Sequence, residues 1–214
     1  MCAMPSGTPV LTTAVDLFDD GAIRARLASS HVAIIGCGGL GSNAAMMLVR
    51  AGVGELTLVD YDVVDRSNLN RQMYFPDQIG EPKTAALAET LLRLQPNLAL
   101  HLRQQEATED NLAVLVEGAQ VVIEAADSAE VKAMVANTLL EQRPGLPIVG
   151  ASGLAGADSA NAIRTEELVP GFYMVGDQTS DVGESMPLIS SRVVAAAAHE
   201  VHMAIRILLG HSEP

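Results

Sequence analysis

Short apolar runs and longer amphipathic stretches alternate along this chain, and the alternation predicts its fold. "HVAIIG" (31–36) is a continuous apolar run closed by glycine, as expected of a strand buried on both faces. Residues 39–51 follow with helical spacing, and Gly52 and Gly54 supply the stop. "ELTLVD" (55–60) reads as a second strand. "EPKTAALAETLLRLQP" then reads as a helix, with Pro82 at its first position and Pro96 ending it. Residues 98–104, 120–127 and 146–153 read as further strands, separated by helices over 109–117 and through Glu141.

The flanks are less regular. Residues 14–29 have the spacing of a lead-in helix, after a flexible segment spanning roughly residues 1–20. Beyond residue 153, "ANAIRT" and "GFYMV" read as short strands and "GDQTSDVGESMP" as a polar loop. Residues 187–209 read as a long final helix ended by Gly210. The pattern predicts an α/β fold, with residues 21–214 as one domain. Its sheet is doubly wound and mostly parallel, with a Rossmann-like nucleotide-binding half, short C-terminal strands and a final long helix.

Composition narrows the choice of partners. Of 214 residues 49% are apolar but only 3% aromatic, so the core must be aliphatic. A net charge of -13 speaks against nucleic acid and anionic membranes, both of which need a cationic footprint. The most apolar stretch, 186–209, is interrupted by Arg192, His199, Glu200, His202 and Arg206, too many for a spanning helix. No signal-peptide pattern opens the chain, so a cytoplasmic protein is expected. Two cysteines, Cys2 and Cys37, give neither a disulfide framework nor a CxxC pair.

The candidate chemistry sits between the first two strands and just beyond. Gly36, Gly38 and Gly41 form G-x-G-x-x-G between a strand and a helix, where free N–H groups and the helix dipole favour a phosphate. Asp60 ends the next strand, where a Rossmann fold places its ribose-binding acid; Asp62 follows it. To this point NAD and ATP are equally served. "DRSNLNRQ" separates them: Arg71 and, further on, Lys83 surround a polyanion better than a dinucleotide needs, and Asn68 and Gln72 add neutral hydrogen bonds. Asp127, just past a strand at the carboxyl edge of the sheet, suits Mg²⁺, which takes one or two carboxylates plus phosphate oxygens and water.

Together "GCGGLGS", "LTLVDYDVVDRSNLNRQ", "IGEPK" and "EAAD" resemble the ThiF/MoeB family of the ubiquitin-activating-enzyme superfamily, most closely its short thiamine-biosynthesis ThiF branch. The resemblance implies ATP- and Mg²⁺-dependent adenylation of the C-terminal glycine of a ubiquitin-like sulfur carrier (ThiS-like, ending Gly-Gly), and a homodimer. It implies nucleotide or metal contacts by Gly39, Asp60, Asn68, Arg71, Lys83 and Asp127, with Arg71, Lys83 and Asp127 catalytic. Departures from the family pattern also carry implications. Without CxxC pairs no zinc is expected, and without a cysteine after Cys37 sulfur must come from a separate donor. The family's N-terminal "R-Y-x-R-Q" is missing, leaving Arg24 or Arg26 as substitutes, and "ADS" replaces "DN", leaving the role of Ser128 open. The competing classes are an NAD-binding oxidoreductase or redox sensor and a non-catalytic partner of an activating enzyme. Against the former stands the lack of a catalytic His or Tyr-x-x-x-Lys pair. Cys37, His199, Glu200 and His202 read as structural, Met46, Met47 and 195–198 as core, and 176–184 as a lid.

Overall fold

A computed structural model describes residues 21–180 and 187–214. The expected flexible N-terminal segment, the first part of the lead-in helix, Cys2 and residues 181–184 of the expected lid lie outside the described residues. The elements run α1 (Gly21–Ala28), β1 (His31–Ile35), α2 (Gly39–Ala51), β2 (Glu55–Val59), α3 (Lys83–Leu94) and β3 (Ala99–Arg103). They continue α4 (Leu112–Leu115), β4 (Val121–Glu124), α5 (Ala129–Gln142), β5 (Ile148–Ala151), β6 (Arg164–Val169), β7 (Phe172–Gly176) and α6 (Ser190–Leu208).

The seven strands form one sheet in the order β3-β2-β1-β4-β5-β7-β6, parallel except for the β6–β7 pair. Alternate side chains of the central strands serve two cores, as the period of two requires. Val32, Ile34, Leu56, Leu58 and Ile123 pack with Leu48 of α2, Leu91 of α3 and Ala197 of α6. Ala33, Ile35, Val59 and Val122 pack with Leu112 and Leu115 of α4 and with Val135 and Leu139 of α5. Burial on both faces explains why these strands read as continuous apolar runs. Alanines of α2 and α6 (Ala44, Ala45, Ala196, Ala197, Ala204) are fully buried, and their small side chains let the two helices pack closely.

The predicted doubly wound sheet and final helix are present, and the differences are local. Pro82 caps α3 from outside rather than opening it. The helix expected over 109–117 shrinks to the single turn of α4, and within "ANAIRT" residues 160–162 form a 3-10 turn before β6 begins. Ala198 faces solvent although its neighbours Ala196 and Ala197 are buried. Two further 3-10 turns, Arg66–Asn68 and Pro76–Gln78, shape the segment between β2 and α3, where no apolar period announces them. Sheet order reverses direction at the β1–β4 pair. There connections leave to opposite faces and open a crevice at the strands' carboxyl ends.

Candidate functional site

Glycines build the floor of that crevice because the backbone there leaves no room for side chains. Gly36 follows β1 at φ +94°, and a Cβ on it would sit 2.6 Å from the Ala125 carbonyl oxygen. A Cβ on Gly41 would run into the Gly36 carbonyl. Gly38 caps α2 without any side-chain hydrogen bond. The first-turn N–H groups therefore lack an intrahelical partner and point, with the dipole's positive end, toward the crevice.

Four polar side chains hold this loop. Asp60 accepts the Cys37 N–H at 2.6 Å on one oxygen and the Asp62 N–H at 2.8 Å on the other. Burial pushes the Asp60 carboxyl above its ordinary range, and the N–H bonds from Cys37 and Asp62 pull against that. Tyr74 donates its hydroxyl to the Cys37 carbonyl at 2.7 Å. Ser42 donates to Gly38 O at 2.6 Å and accepts the Met73 N–H at 3.1 Å. Asn43 donates to Gly39 O at 2.7 Å and to Arg71 O at 3.0 Å. The expected ribose-binding acid thus has an internal duty, and the Arg71 loop is tied directly to the glycine loop.

Above the floor lies a cavity of about 530 Å³. Gly36, Gly38, Gly39, Asp60, Asp62, Arg71, Gln72, Lys83 and Asp127 line it, together with Lys132 and Ser180. Its volume is that of an ordinary small-molecule site. Lys83 opens α3, is 6% exposed, and places its Nζ 2.7 Å from an oxygen of Asp62. The stem of Arg71 lies over Gly39, whose Cβ would be 3.6 Å from Arg71 Cγ. One Arg71 Nη donates to Ser67 O at 3.2 Å and to Asn70 Oδ1 at 2.8 Å. Its Nε and the Oε1 of Gln72 are buried with no partner among the described residues. Asp127 is exposed in the cavity lining and is not the cap of α5: Ser128 is, accepting the Val131 N–H at 3.1 Å. That gives Ser128 its role.

Two expected positions fall elsewhere. Gly41 works through backbone packing rather than by lining the cavity. Asn68 lies outside the lining, where its Oδ1 accepts the Asp65 N–H at 2.9 Å in a reciprocal cap. Lys132 was not legible as a site residue. It stands one turn into α5 with its Nζ 3.2 Å from Glu124, whose buried carboxyl is pushed up by desolvation and drawn back chiefly by that cation. Its one signal was its distance of four residues from the helix-starting Ser128.

Other residues resolve clearly. Cys37 is fully buried, and burial pushes its thiol well up. His199 and His202 face solvent while Glu200 turns inward, so no cluster forms between them. Arg26 donates to the Leu208 carbonyl at 2.8 Å, a contact within the chain. The described part of the expected lid, 176–180, is pinned: Arg192 of α6 bonds Asp177. Hydrogen bonds from Ser180 and Thr179, with Arg192, outweigh desolvation and hold the Asp177 carboxyl well below its usual range.

Glycine floor, anchored loop and converging cations fit the family that the motifs suggested, and residues 12–214 match the ThiF family. The chain belongs to it. "Sulfur carrier protein ThiS adenylyltransferase" of Bacillus subtilis is 30% identical over 193 residues, 86% of this chain and 56% of that one. "SAMP-activating enzyme E1" of Haloferax volcanii is 40% identical over 106 residues, 49% of this chain and 39% of that one. The chain therefore spans about half or less of the length of these relatives. Among solved structures, E. coli tRNA N6-threonylcarbamoyladenosine dehydratase in complex with ATP superposes with a TM-score of 0.82 at 23% identity, covering 92% of both chains. E. coli MccB with ATP superposes at 0.69 and 22% identity, covering 90% of this chain and 59% of that one. These two likenesses establish the fold.

Proposed function

We propose that this ThiF family chain is an adenylyltransferase. It activates the C-terminal glycine carboxylate of a small ubiquitin-like sulfur carrier with ATP, in preparation for thiocarboxylate formation. The observation that carries this is the convergence of Lys83, the unpartnered Arg71 Nε and the first turn of α2 on one cavity. A triphosphate uses such a cationic floor, whereas a dinucleotide's pyrophosphate needs less of it.

In the proposed reaction a carrier carboxylate oxygen attacks the α-phosphorus in line. The new P–O bond forms as the bond to the bridging oxygen breaks, and pyrophosphate leaves with the electron pair. The attacking carboxylate is ionised at neutral pH, so no general base is required. Lys83, Arg71 and Lys132 counter charge on the phosphates, and positioning plus electrostatics supply the catalysis. Donor chemistry fits Mg²⁺: Asp127 is an exposed hard carboxylate on the cavity wall, and with phosphate oxygens it would hold the ion. When bound, that ion neutralises phosphate charge. Asp60, Tyr74, Ser42 and Asn43 keep the glycine loop rigid, and Gln72 offers the phosphates a neutral contact. Asn68 acts indirectly, by shaping the turn before Arg71.

A ThiS-like carrier in thiamine biosynthesis is the specific partner we favour, supported by the Bacillus subtilis relative that aligns with 86% of the chain. With Cys37 buried in the loop, sulfur comes from a separate donor. A homodimer in the cytoplasm completes the proposal; no described helix is long and apolar enough to cross a membrane. A tRNA substrate, named for the dehydratase, is disfavoured by the net charge of -13. The test is ATP–pyrophosphate exchange with Mg²⁺, with and without a carrier ending in Gly-Gly. Exchange that needs the carrier and is lost with its last glycine is the expected result. ATP binding without exchange would point instead to a non-catalytic partner, and NAD binding in place of ATP to the oxidoreductase class.

A further inference from the structure

Three metal-binding side chains meet at the edge of the sheet opposite the nucleotide cavity. His31 opens β1, Glu55 opens β2, and His101 lies on the neighbouring β3. The parallel registers set His31 beside Glu55 and Thr57 beside His101, so all four side chains share one face. His31, Glu55 and His101 each offer one ligand atom, and the three atoms lie within 4.8 Å of one another. Glu55 stands between the rings, its Oε1 2.7 Å from His101 Nε2 and 3.7 Å from His31 Nδ1.

The environment suits a cation. His31 is 7% exposed, so the packing around its ring holds it in place. Its Nε2 lies 2.8 Å from the Thr57 hydroxyl, the kind of outer partner that orients a ligating ring. Glu55 and His101 are 40% and 43% exposed at their side chains, so water and ions reach them and both can move. Metal–ligand bonds of about 2.0–2.2 Å place tetrahedral donors about 3.3–3.5 Å apart. The three ligand atoms therefore need shifts of about an ångström, which the two exposed side chains can supply.

We propose that His31, Glu55 and His101 bind a divalent transition cation of Zn²⁺ type, fastening β1, β2 and β3 together at their amino ends. Two imidazoles and one carboxylate match such an ion and leave coordination open to water. The lack of CxxC pairs excludes only thiolate zinc. The five residues of β1 separate this cluster from Gly36, about 16 Å along the strand, so this ion is separate from any Mg²⁺ at Asp127.

The test is isothermal titration of the full chain with ZnCl₂, with MgCl₂ as control, on wild type, His101→Ala and Glu55→Gln. Alongside it, NMR of the wild-type imidazole protons would follow added Co²⁺. One Zn²⁺ site per chain is expected, weakened at least about tenfold by either variant and not filled by Mg²⁺. At a hundredfold excess over its Kd, Zn²⁺ should raise the wild-type Tm by about 5–10 °C. Co²⁺ should broaden His31 and His101 before His199, His202 and His211. No Zn²⁺ binding, equal binding by all three proteins, or first broadening at the α6 histidines would each overturn the proposal. The NMR arm uses wild type alone, so it decides the matter even if a variant folds poorly.

Discussion

Replacing Lys83 with Met separates what its charge does for the fold from what it does for phosphate chemistry. The side chain is 8% exposed, so its stem is packed, and Met preserves most of that packing. The ion-pair partner Asp62 is 43% exposed and regains water when the ammonium is lost, which limits the pair's worth to about 0–1 kcal/mol. The local backbone is held independently, by the Lys83 N–H to Asp62 O at 3.0 Å and by the Tyr74 hydroxyl on Lys83 O at 3.4 Å. Stability should therefore move by no more than about 1 kcal/mol, or about 2–4 °C in Tm. Catalysis should fall much further. A preorganised donor aimed at developing phosphate charge contributes about 3–4 kcal/mol, so Lys83→Met should lose about 10²–10³ in rate. Carrier-dependent pyrophosphate exchange and thermal melts on the same preparation give both numbers. Exchange within about threefold of wild type would show that Lys83 merely balances Asp62, and the assignment would fall.

Four other substitutions probe the framework. Glu200 is 0% exposed with both oxygens unpartnered among the described residues, and burial pushes its carboxyl well above 4.5. A raised folded-state pKa means that folding takes up a proton, so the stability present at acid pH is lost as pH rises. Glu200→Met should stabilise the chain by about 1–3 kcal/mol at pH 7 and flatten that dependence. Denaturant titrations at pH 5 and pH 8 would check this, and a loss of stability at both would refute it. Tyr74→Phe orphans the buried Cys37 carbonyl and should cost about 1–3 kcal/mol while weakening ATP binding in calorimetry. Gly41→Ala drives a methyl into the Gly36 carbonyl and should abolish nucleotide binding. Gly38→Ala, whose Cβ would meet only Gln72 Nε2 at 3.8 Å, should keep the chain folded as judged by circular dichroism.

Much of the fold was legible because its signals are local. The apolar runs of β1 and β2 and the Gly52 stop at φ +99° each depend on neighbours within a few residues. The glycine loop and the order of Asp60, Arg71, Lys83 and Asp127 placed the site at the carboxyl edge for the same reason. Weakly periodic segments were harder: the turns at 66–68 and 76–78 are set by side-chain caps such as Asp65 with Asn68.

The sequence by itself determined the alternation of strands and helices, the glycine-rich turn before α2 and the inventory of charges, since periodicity and spacing encode these. Only the tertiary structure decided which groups meet. Strand order places Glu124 beside the glycine-loop strand, β1. Asp60 anchors the Cys37 N–H while lining the cavity, Lys83 finds Asp62, and Lys132 joins the cavity through Glu124. His31, Glu55 and His101 lie 24 and 46 residues apart and become neighbours through two parallel registers. Parallel strands are joined by long crossovers rather than tight turns, so their register follows from packing both faces of the sheet at once.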